Sequence, residues 1–506
     1  MTHKTRNAPP SASSMIESLR GLGYSVSTAL ADIIDNSLAA GADHVDVYFI
    51  WEGRHQAIVI RDNGHGMSDP ELFNAMRLGF LSPLAERASH DLGRFGLGLK
   101  TASFSQCRSL TVSSKRRDTD IVSLRWDLDY LAQGTNREWH LLETPGPEAA
   151  LCLPLLDDLP HGTLVVWEKL DRIITPGFSR QDYLDLADAV ENHLALIFHR
   201  FLQGTESRLT LTLNQVPVKA HDPFMQDHPA TWNYPPTKID AGYGILTLQG
   251  HVLPHTDKLS AKAHATAAGP KGWTDHQGFY VYRNERLIVA GSWLGLGTGR
   301  AWTKEEAHRL ARIRLDIPNT ADAAWKLDIR KSTAVPPVTM RKRLLKLAET
   351  VRKRARHVFA DRGEYKKTSS PAKPALPVWR VESAGEEVRY RISREHPAVC
   401  AVSSDPVTAK ALDALLSLIE QTVPVQRIWL DTAEGKNTPH NTEMSTPPEE
   451  MANILEVVYH NLIRRTGLSP MAAKAKLHHT EPFAAFPELV EALPDFPELR
   501  SLLQNY

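Results

Sequence analysis

In the stretch STALADIIDNSLAAGADHVDVYF, Ser27 to Phe49, a carboxylate and an amide, Asp32 and Asn36, stand four residues apart. The apolar spacing reads as a helix that ends near Gly41 and hands over to a strand. A four-residue interval puts both side chains on one helical face. That face is either wetted surface or the wall of a site, and the helix alone does not decide between them.

Three further stretches could do chemistry. In VIRDNGHGMSDPELF a β-run ends on Asp62, with Gly64 and Gly66 at alternate positions after it. Glycines there allow a turn with positive φ and let a flat ligand approach the backbone. A buried carboxylate at a strand end can accept a hydrogen bond from an exocyclic amine; an ordinary DNG hairpin turn is the plainer reading. In DLGRFGLGLKTASFSQC, Gly93, Gly96 and Gly98 lead into an apolar helical run with Lys100 and Thr101 in its first turns. Free amides at a helix start beside a cation make an anion pocket, although the Walker spacing is absent and a tight packing turn is the alternative. In HGTLVVW, Gly162 and Thr163 open a strand, which alone means little.

The elements that must position these residues alternate helix and strand. From about Ser14 to Trp167, helical stretches are interleaved with HVDVYFIWE, QAIVIRDNG, SLTVSSK, DIVSLRWDLD and GTLVVWEKL, the pattern of a mixed α/β sandwich. A β-rich block follows to about residue 335, then a basic helical stretch from Val338 to Phe359, then the Lys-, Ser- and Pro-rich linker DRGEYKKTSSPAKPALP. The expected divisions are a flexible arm over 1–14, a first domain over 15–175, a second over 176–337, a basic helix over 338–362, a linker over 363–378, and a mostly helical region over 379–506. At 506 residues the chain is too long for one ordinary core.

Lys+Arg and Asp+Glu both number 59, so no global field selects nucleic acid or membrane, and such a partner must be met by a local patch. Cys107, Cys152 and Cys400 lack metal or disulfide spacing, which suits a reducing cytoplasm. No apolar run is long enough to span a bilayer, and the polar start MTHKTRNAPPSASSM lacks a secretory signal.

A helix with D-x-x-x-N, then D-x-G-x-G, G-x-x-G-x-G, and G-T before a strand, in that order, resembles the GHKL superfamily. That superfamily includes the gyrase B subunit, MutL, the heat-shock chaperone of ninety kilodaltons, histidine kinases and MORC proteins. The likeness covers about residues 14–170, and GRFGLGLK and VYRNERLI are most similar to MORC-type ATPases and their prokaryotic relatives. The resemblance implies an α+β chain: a GHKL (Bergerat) α/β sandwich, then a β-rich transducer of ribosomal-protein-S5-like type. It implies ATP and Mg²⁺ as ligands. Asn36 would coordinate the metal, and Asp62 would read the adenine amine with Gly64, Gly66 and Met67 around the base. The run Gly93, Arg94, Phe95, Gly96, Leu97, Gly98, Leu99 and Lys100 would cradle the phosphates, and Thr163 would place a hydroxyl near the adenine. RLGFLSPLAERASHD would be a lid.

One departure stands out. Most hydrolytic members carry Glu where this chain has Asp32, and that residue orients and deprotonates water. Asp has similar acidity but reaches one methylene less, so the resemblance implies slow ATP hydrolysis or a nucleotide-binding sensor or scaffold that hydrolyses little. Asp35 lies one step round the helix from Asn36 and is the less suitable base. The transducer of relatives supplies a lysine to the γ-phosphate. Here AWKLDIRKSTAVPP offers Lys326, Arg330 and Lys331, and its K-x-D favours Lys326.

The helix MRKRLLKLAETVRKRARHVF carries Arg341, Lys342, Arg343, Lys346, Arg352, Lys353, Arg354 and Arg356 against Glu349 alone. It is either a solvated face or a contact for DNA phosphates. The resemblance implies a homodimer that closes on ATP and clamps DNA, and the prokaryotic relatives occur in restriction-like and anti-phage settings. A histidine kinase fits less well, because only about 14 residues precede the module; a chaperone role finds neither support nor exclusion in the C-terminal region. His478 and His479 beside Glu481 have no second ligand cluster, and Asp127 and Asp129 alternate as in a plain strand.

Overall fold

The computed structural model describes residues 11–21, 23–53, 55–80, 98–133, 139–204, 207–269, 271–322, 324–327, 333–360, 376–384, 387–402, 406–428, 449–464 and 466–495. The chain divides into two compact units, Met1–Ala360 and Asp361–Tyr506. Most of the expected linker, of the proposed lid and of the glycine loop lies outside the described residues.

The first unit opens with α1 (Ala12–Arg20) and α2 (Val26–Ala39). The expected arm through residue 14 is thus corrected at its end: Ala12, Ile16 and Arg20 recur every fourth residue and are buried, so residues 12–14 belong to a helix. The Arg20 Nε–H donates to the Phe104 carbonyl at 2.8 Å, and its Nη2 pairs with Asp171 at 2.5 Å. The α2 helix starts at a capping box, in which Ser25 Oγ accepts from the Thr28 N–H and Thr28 Oγ1 accepts from the Ser25 N–H. Such a cap contributes about 1 kcal/mol.

The strands β1 (His44–Glu52), β2 (His55–Asp62), β3 (Ser109–Lys115), β4 (Val122–Asp127), β5 (Gly162–Glu168), β6 (Thr210–Leu213) and β7 (Val216–Pro217) form one sheet in the order β4-β3-β5-β2-β1-β6-β7. Pairing is antiparallel except between β1 and β6. The sheet therefore takes β6 and β7 from the block expected to lie beyond residue 175. Its buried face packs on α2, on α4 (Gly98–Phe104) and on the helix Arg180–Ile197. Two indoles pin the chain on either side of residues 81–97. Trp126 donates to the Met76 carbonyl at 3.0 Å, ending the helix α3 (Asp69–Met76), and Trp167 donates to Ser103 Oγ at 2.8 Å, holding α4.

A second sheet runs in the order β12-β11-β13-β10-β8, with β9 also on β10. Its strands are β8 (Trp232–Asn233), β9 (Thr237–Asp240), β10 (Ile245–Val252), β11 (Gly278–Arg283), β12 (Arg286–Ser292) and β13 (Ala311–Ile317). The β11–β12 turn places Asn284 and Glu285 at φ 46° and 67°, the left-handed pair of a two-residue hairpin whose twist matches its strands. Side chains alternate along β11. Phe279 and Val281 enter the second core, whereas Tyr280 and Tyr282 enter the core of the first sheet. The helix Val338–Ala360 packs across this sheet through Leu344, Ala348, Val351 and Ala355.

Where the two sheets meet, histidines are buried neutral. His199 faces the Tyr282 hydroxyl at 2.7 Å and His251 faces Asn233 at 2.7 Å; burial pushes each pKa down to about 3. His276 is pushed down to about 4 by burial. A histidine with a depressed native pKa contributes full stability above the unfolded value near 6.5 and loses it as pH falls toward the native value. Each such imidazole costs about 1.4 kcal/mol per pH unit in that window. The melting temperature should be flat from pH 8 to 7 and fall steeply from pH 6 to 5; a scanning-calorimetry series with equal melting temperatures at pH 7 and 5 would refute this.

The second unit holds the hairpin β14 (Trp379–Ala384) and β15 (Glu387–Ile392) with helices at Pro397–Val402, Pro406–Thr422, Glu449–Arg464, Pro470–Leu477 and Pro487–Glu491. Leu455, Tyr459, Leu477, Phe483 and Val490 form its core. His478 pairs with Glu491 at 2.8 Å, and no described group of His, Cys, Asp or Glu could hold a metal. Among the described residues no helix is long and apolar enough to cross a membrane.

Candidate functional site

The sheet brings two of the four motifs side by side. Asp62, the last residue of β2, pairs directly with Thr163, the second residue of β5. The Asp62 carboxylate is buried and receives two donors: Ser37 Oγ–H at 2.8 Å and the Gly64 N–H at 2.9 Å. Burial raises its pKa, offset in part by these hydrogen bonds. Ser37 is the residue after Asn36, so the helix that carries the first motif is docked on the second. Gly66 sits at φ 67°, and a Cβ there would lie 2.0 Å from the Lys115 carbonyl oxygen, so only glycine closes this turn. The Met67 N–H donates to Ser114 Oγ at 2.9 Å, and Ser114 Oγ lies 3.0 Å from Thr163 Oγ1.

Asp62, Gly64, Gly66, Met67 and Thr163 thus form one connected wall. Ser37 and Ser114 complete it. Neither has a sequence signal beyond lying one residue after Asn36 or inside an ordinary β-run.

Along α2, Asn36 is exposed, one residue before Ser37 of the same wall. Asp32 is not on a wetted face: it is 4 % exposed. Its Oδ2 accepts from the Tyr24 hydroxyl at 3.0 Å, and its Oδ1 lies 3.6 Å from Nη2 of Arg286. Asp35, 1 % exposed, meets Nε of the same guanidinium at 3.2 Å. Arg286 comes from VYRNERLI, a stretch whose likeness to MORC-type sequences was visible but which suggested no partner for α2.

Gly98 and Leu99 begin α4, whereas Gly93, Arg94, Phe95, Gly96 and Leu97 lie outside the described residues. Lys100 is buried, and its ammonium donates to the Ala75 carbonyl at 2.7 Å. Burial lowers its pKa to about 8. Lys326 is exposed in the turn after Trp325 at φ 48°, with no hydrogen bond to Asp32, Asn36 or Asp62 among the described residues; Arg330 and Lys331 lie outside them.

The basic helix needs one correction. Arg352 does not belong to a charged surface, because Trp293 and Trp302 enclose its guanidinium at 4.7 Å and 4.3 Å from their ring centroids. Arg354 is half-buried over Trp232 at 4.3 Å. Arg341, Lys342, Arg343, Lys346, Lys353 and Arg356 remain exposed. The aspartates of RWDLDYL are structural, as Lys169 joins Asp127 at 3.1 Å and Asp129 at 2.8 Å.

The wall combines a buried carboxylate, a glycine-closed turn, a neighbouring hydroxyl and an exposed asparagine, residue types that can serve an adenine nucleotide and a hard cation. Residues 24–163 match the family model described as histidine kinase-, DNA gyrase B-, and HSP90-like ATPase. A curated relative, ATPase morc-1 of Caenorhabditis elegans, is 30 % identical over 89 residues, which are 18 % of this chain and 10 % of that protein. The chain therefore spans about a tenth of the curated relative that it matches.

Proposed function

We propose that this chain, whose residues 24–163 form a GHKL-type, MORC-like ATPase module, binds Mg·ATP, hydrolyses it slowly and uses the bound nucleotide to close a homodimeric clamp on DNA. The observation that carries the reading is the Asp62 carboxylate, buried beside Thr163 with both oxygens oriented by Ser37 and Gly64. Held this way, it presents an acceptor to an exocyclic amine, and Gly66 leaves the backbone open to a flat base. Asn36 would supply an oxygen ligand to Mg²⁺, which when bound would draw the phosphates together and screen their charge. Asp32 would take the proton from the attacking water. Lys326, or one of its neighbours Arg330 and Lys331, would report the γ-phosphate to the second sheet, read here as the transducer; only contacts that differ between states can shift a population.

Asp62→Asn turns an acceptor into a donor toward the amine. It should weaken ATP about 10- to 100-fold by equilibrium titration, the scale of one charge-assisted hydrogen bond. An unchanged dissociation constant would remove Asp62 from adenine recognition.

The DNA arm of the proposal rests on the exposed face of the helix Val338–Ala360. Lys342, Lys346 and Lys353 lie along one side of it, with Arg343 adjacent. Changing these four to Glu should abolish DNA retention at low salt, since phosphate contacts act through counterion release. Retention equal to the parent chain in a gel-shift titration would exclude this face.

A second reading is a nucleotide sensor with little hydrolysis. One observation favours it: Asp32 is covered by Tyr24 and Arg286. Single-turnover hydrolysis by the full chain separates the two readings, because a sensor releases no phosphate over many binding lifetimes.

A further inference from the structure

The second sheet reaches the first at a place that the γ-phosphate lysine does not involve. Arg286 is the first residue of β12, directly after the left-handed turn at Asn284 and Glu285. The turn is held by Glu285, which pairs with Arg208 and Arg200. Across the hairpin, Arg283 is fixed on Asp322 at 2.8 Å. From this mount the Arg286 side chain, 5 % exposed, crosses to α2. Its Nη1–H donates to the Leu287 carbonyl at 2.9 Å, its Nε meets Asp35 at 3.2 Å, and its Nη2 lies 3.6 Å from Asp32. Phe198 lies 6.0 Å from the guanidinium, and the Arg286 charge adds to burial in lowering the pKa of His193 to about 4.

We propose that Arg286 is a positioning residue that sets the orientation of Asp32 from the second sheet. The inference rests on the reading of Asp32 as the group that activates water. Two carboxylates three residues apart, both buried, face the Arg286 guanidinium. A planar fork can serve both at fixed angles, whereas an ammonium is one point charge. Tyr24 holds one oxygen of Asp32 at 3.0 Å and the Arg286 charge faces the other at 3.6 Å, so the field that orients the carboxylate comes in part from β12. A displacement of the β11–β12 hairpin relative to α2 therefore moves the base as well as the sheet. This gives the second sheet a route to the chemistry, through the carboxylate and not through the phosphate. It also offers a means of aiming a side chain that is one methylene short.

The test uses the full chain, with Arg286→Lys as the variant that keeps the charge and loses the fork, and Arg286→Gln beside it. Turnover, the dissociation constant of a non-hydrolysable ATP analogue, and melting temperature are measured for each. The proposal predicts that Arg286→Lys keeps its fold and binds the analogue within about twofold of the parent, yet loses about 10-fold or more in kcat, the scale of a misplaced catalytic geometry. Arg286→Gln, where it folds, should lose more. An Arg286→Lys protein that turns over at the parent rate would overturn the proposal. So would one in which affinity and melting temperature fall together with rate, since that is the behaviour of a purely structural ion pair. Asp32→Asn is measured in parallel. If that variant keeps the parent rate, the base assignment itself has failed, a result independent of what Arg286→Lys does to binding.

Discussion

Asp32→Asn should reduce steady-state ATP turnover by about 10²-fold or more while leaving nucleotide affinity within a few-fold, because a general base contributes in the transition state and little in the ground state. The expectation follows from the position of Asp32 on α2, one turn before the exposed Asn36. The substitution is nearly isosteric, and the Asn amide oxygen can still accept from Tyr24, whose hydroxyl is 3.0 Å from Asp32 Oδ2. Its cost is concentrated at Arg286, which loses one anion but keeps Asp35 at 3.2 Å. The fold should therefore survive, and a loss of rate can be read as chemistry. The measurement is phosphate release under saturating ATP, with analogue binding measured on the same preparation. Parent-like turnover would remove Asp32 from the role of base.

The largest expected effect on stability is at Arg352. Arg352→Glu should destabilise the first unit by about 3–5 kcal/mol, the cost of leaving a buried charge without its partner. The guanidinium lies between two indoles in perpendicular orientation, Trp293 and Trp302, whose centroids are 5.6 Å apart. A desolvated cation over an aromatic face contributes about 2 kcal/mol. Its Nη2 is 3.6 Å from Glu305, so a glutamate at 352 would meet a like charge as well. Burial already lowers the Arg352 pKa, with Glu305 acting against that shift. The neighbouring Lys353→Glu is exposed and should change stability little. Urea denaturation of the two variants decides the matter: equal midpoints would show that the indole enclosure contributes nothing. The contrast also guards any DNA-binding experiment, because a variant that combines both sites loses its fold before it loses a phosphate contact.

Much of the site was legible in the sequence because its parts are local. D-N-G-H-G must turn at Gly66, and the strand before it must end on Asp62. Their order along the chain then singled out one superfamily. The sequence did not show that Asp62 and Thr163 would be direct cross-strand partners, because register over a hundred residues apart depends on which strands pair. Ser37 and Ser114 were silent for the same reason: a serine in a helix or strand gains meaning only from its neighbour across the core. Helical spacing left open whether the Asp32 face is wetted surface or the wall of a site. Helical spacing with Asn36 was correct, but what covers a face is decided by the rest of the fold, here by Tyr24 and by an arginine some 250 residues away. Periodicity likewise could not tell Arg352 from Lys353, since a cation between indoles and a cation in water have the same letter pattern. RLTLTLNQVPV reads as strand, but its membership in the first sheet escaped because a parallel pairing with β1 leaves no local trace.

Mg·ATP binding through Asp62 underlies every other role proposed for this chain. Isothermal titration of the full chain with a non-hydrolysable ATP analogue, with and without Mg²⁺, tests it on the parent and on Asp62→Asn. Saturable one-site binding that Mg²⁺ strengthens and Asp62→Asn weakens at least about 10-fold is the predicted result. Absence of binding by the parent chain in the presence of Mg²⁺, or binding that Asp62→Asn leaves untouched, would contradict it.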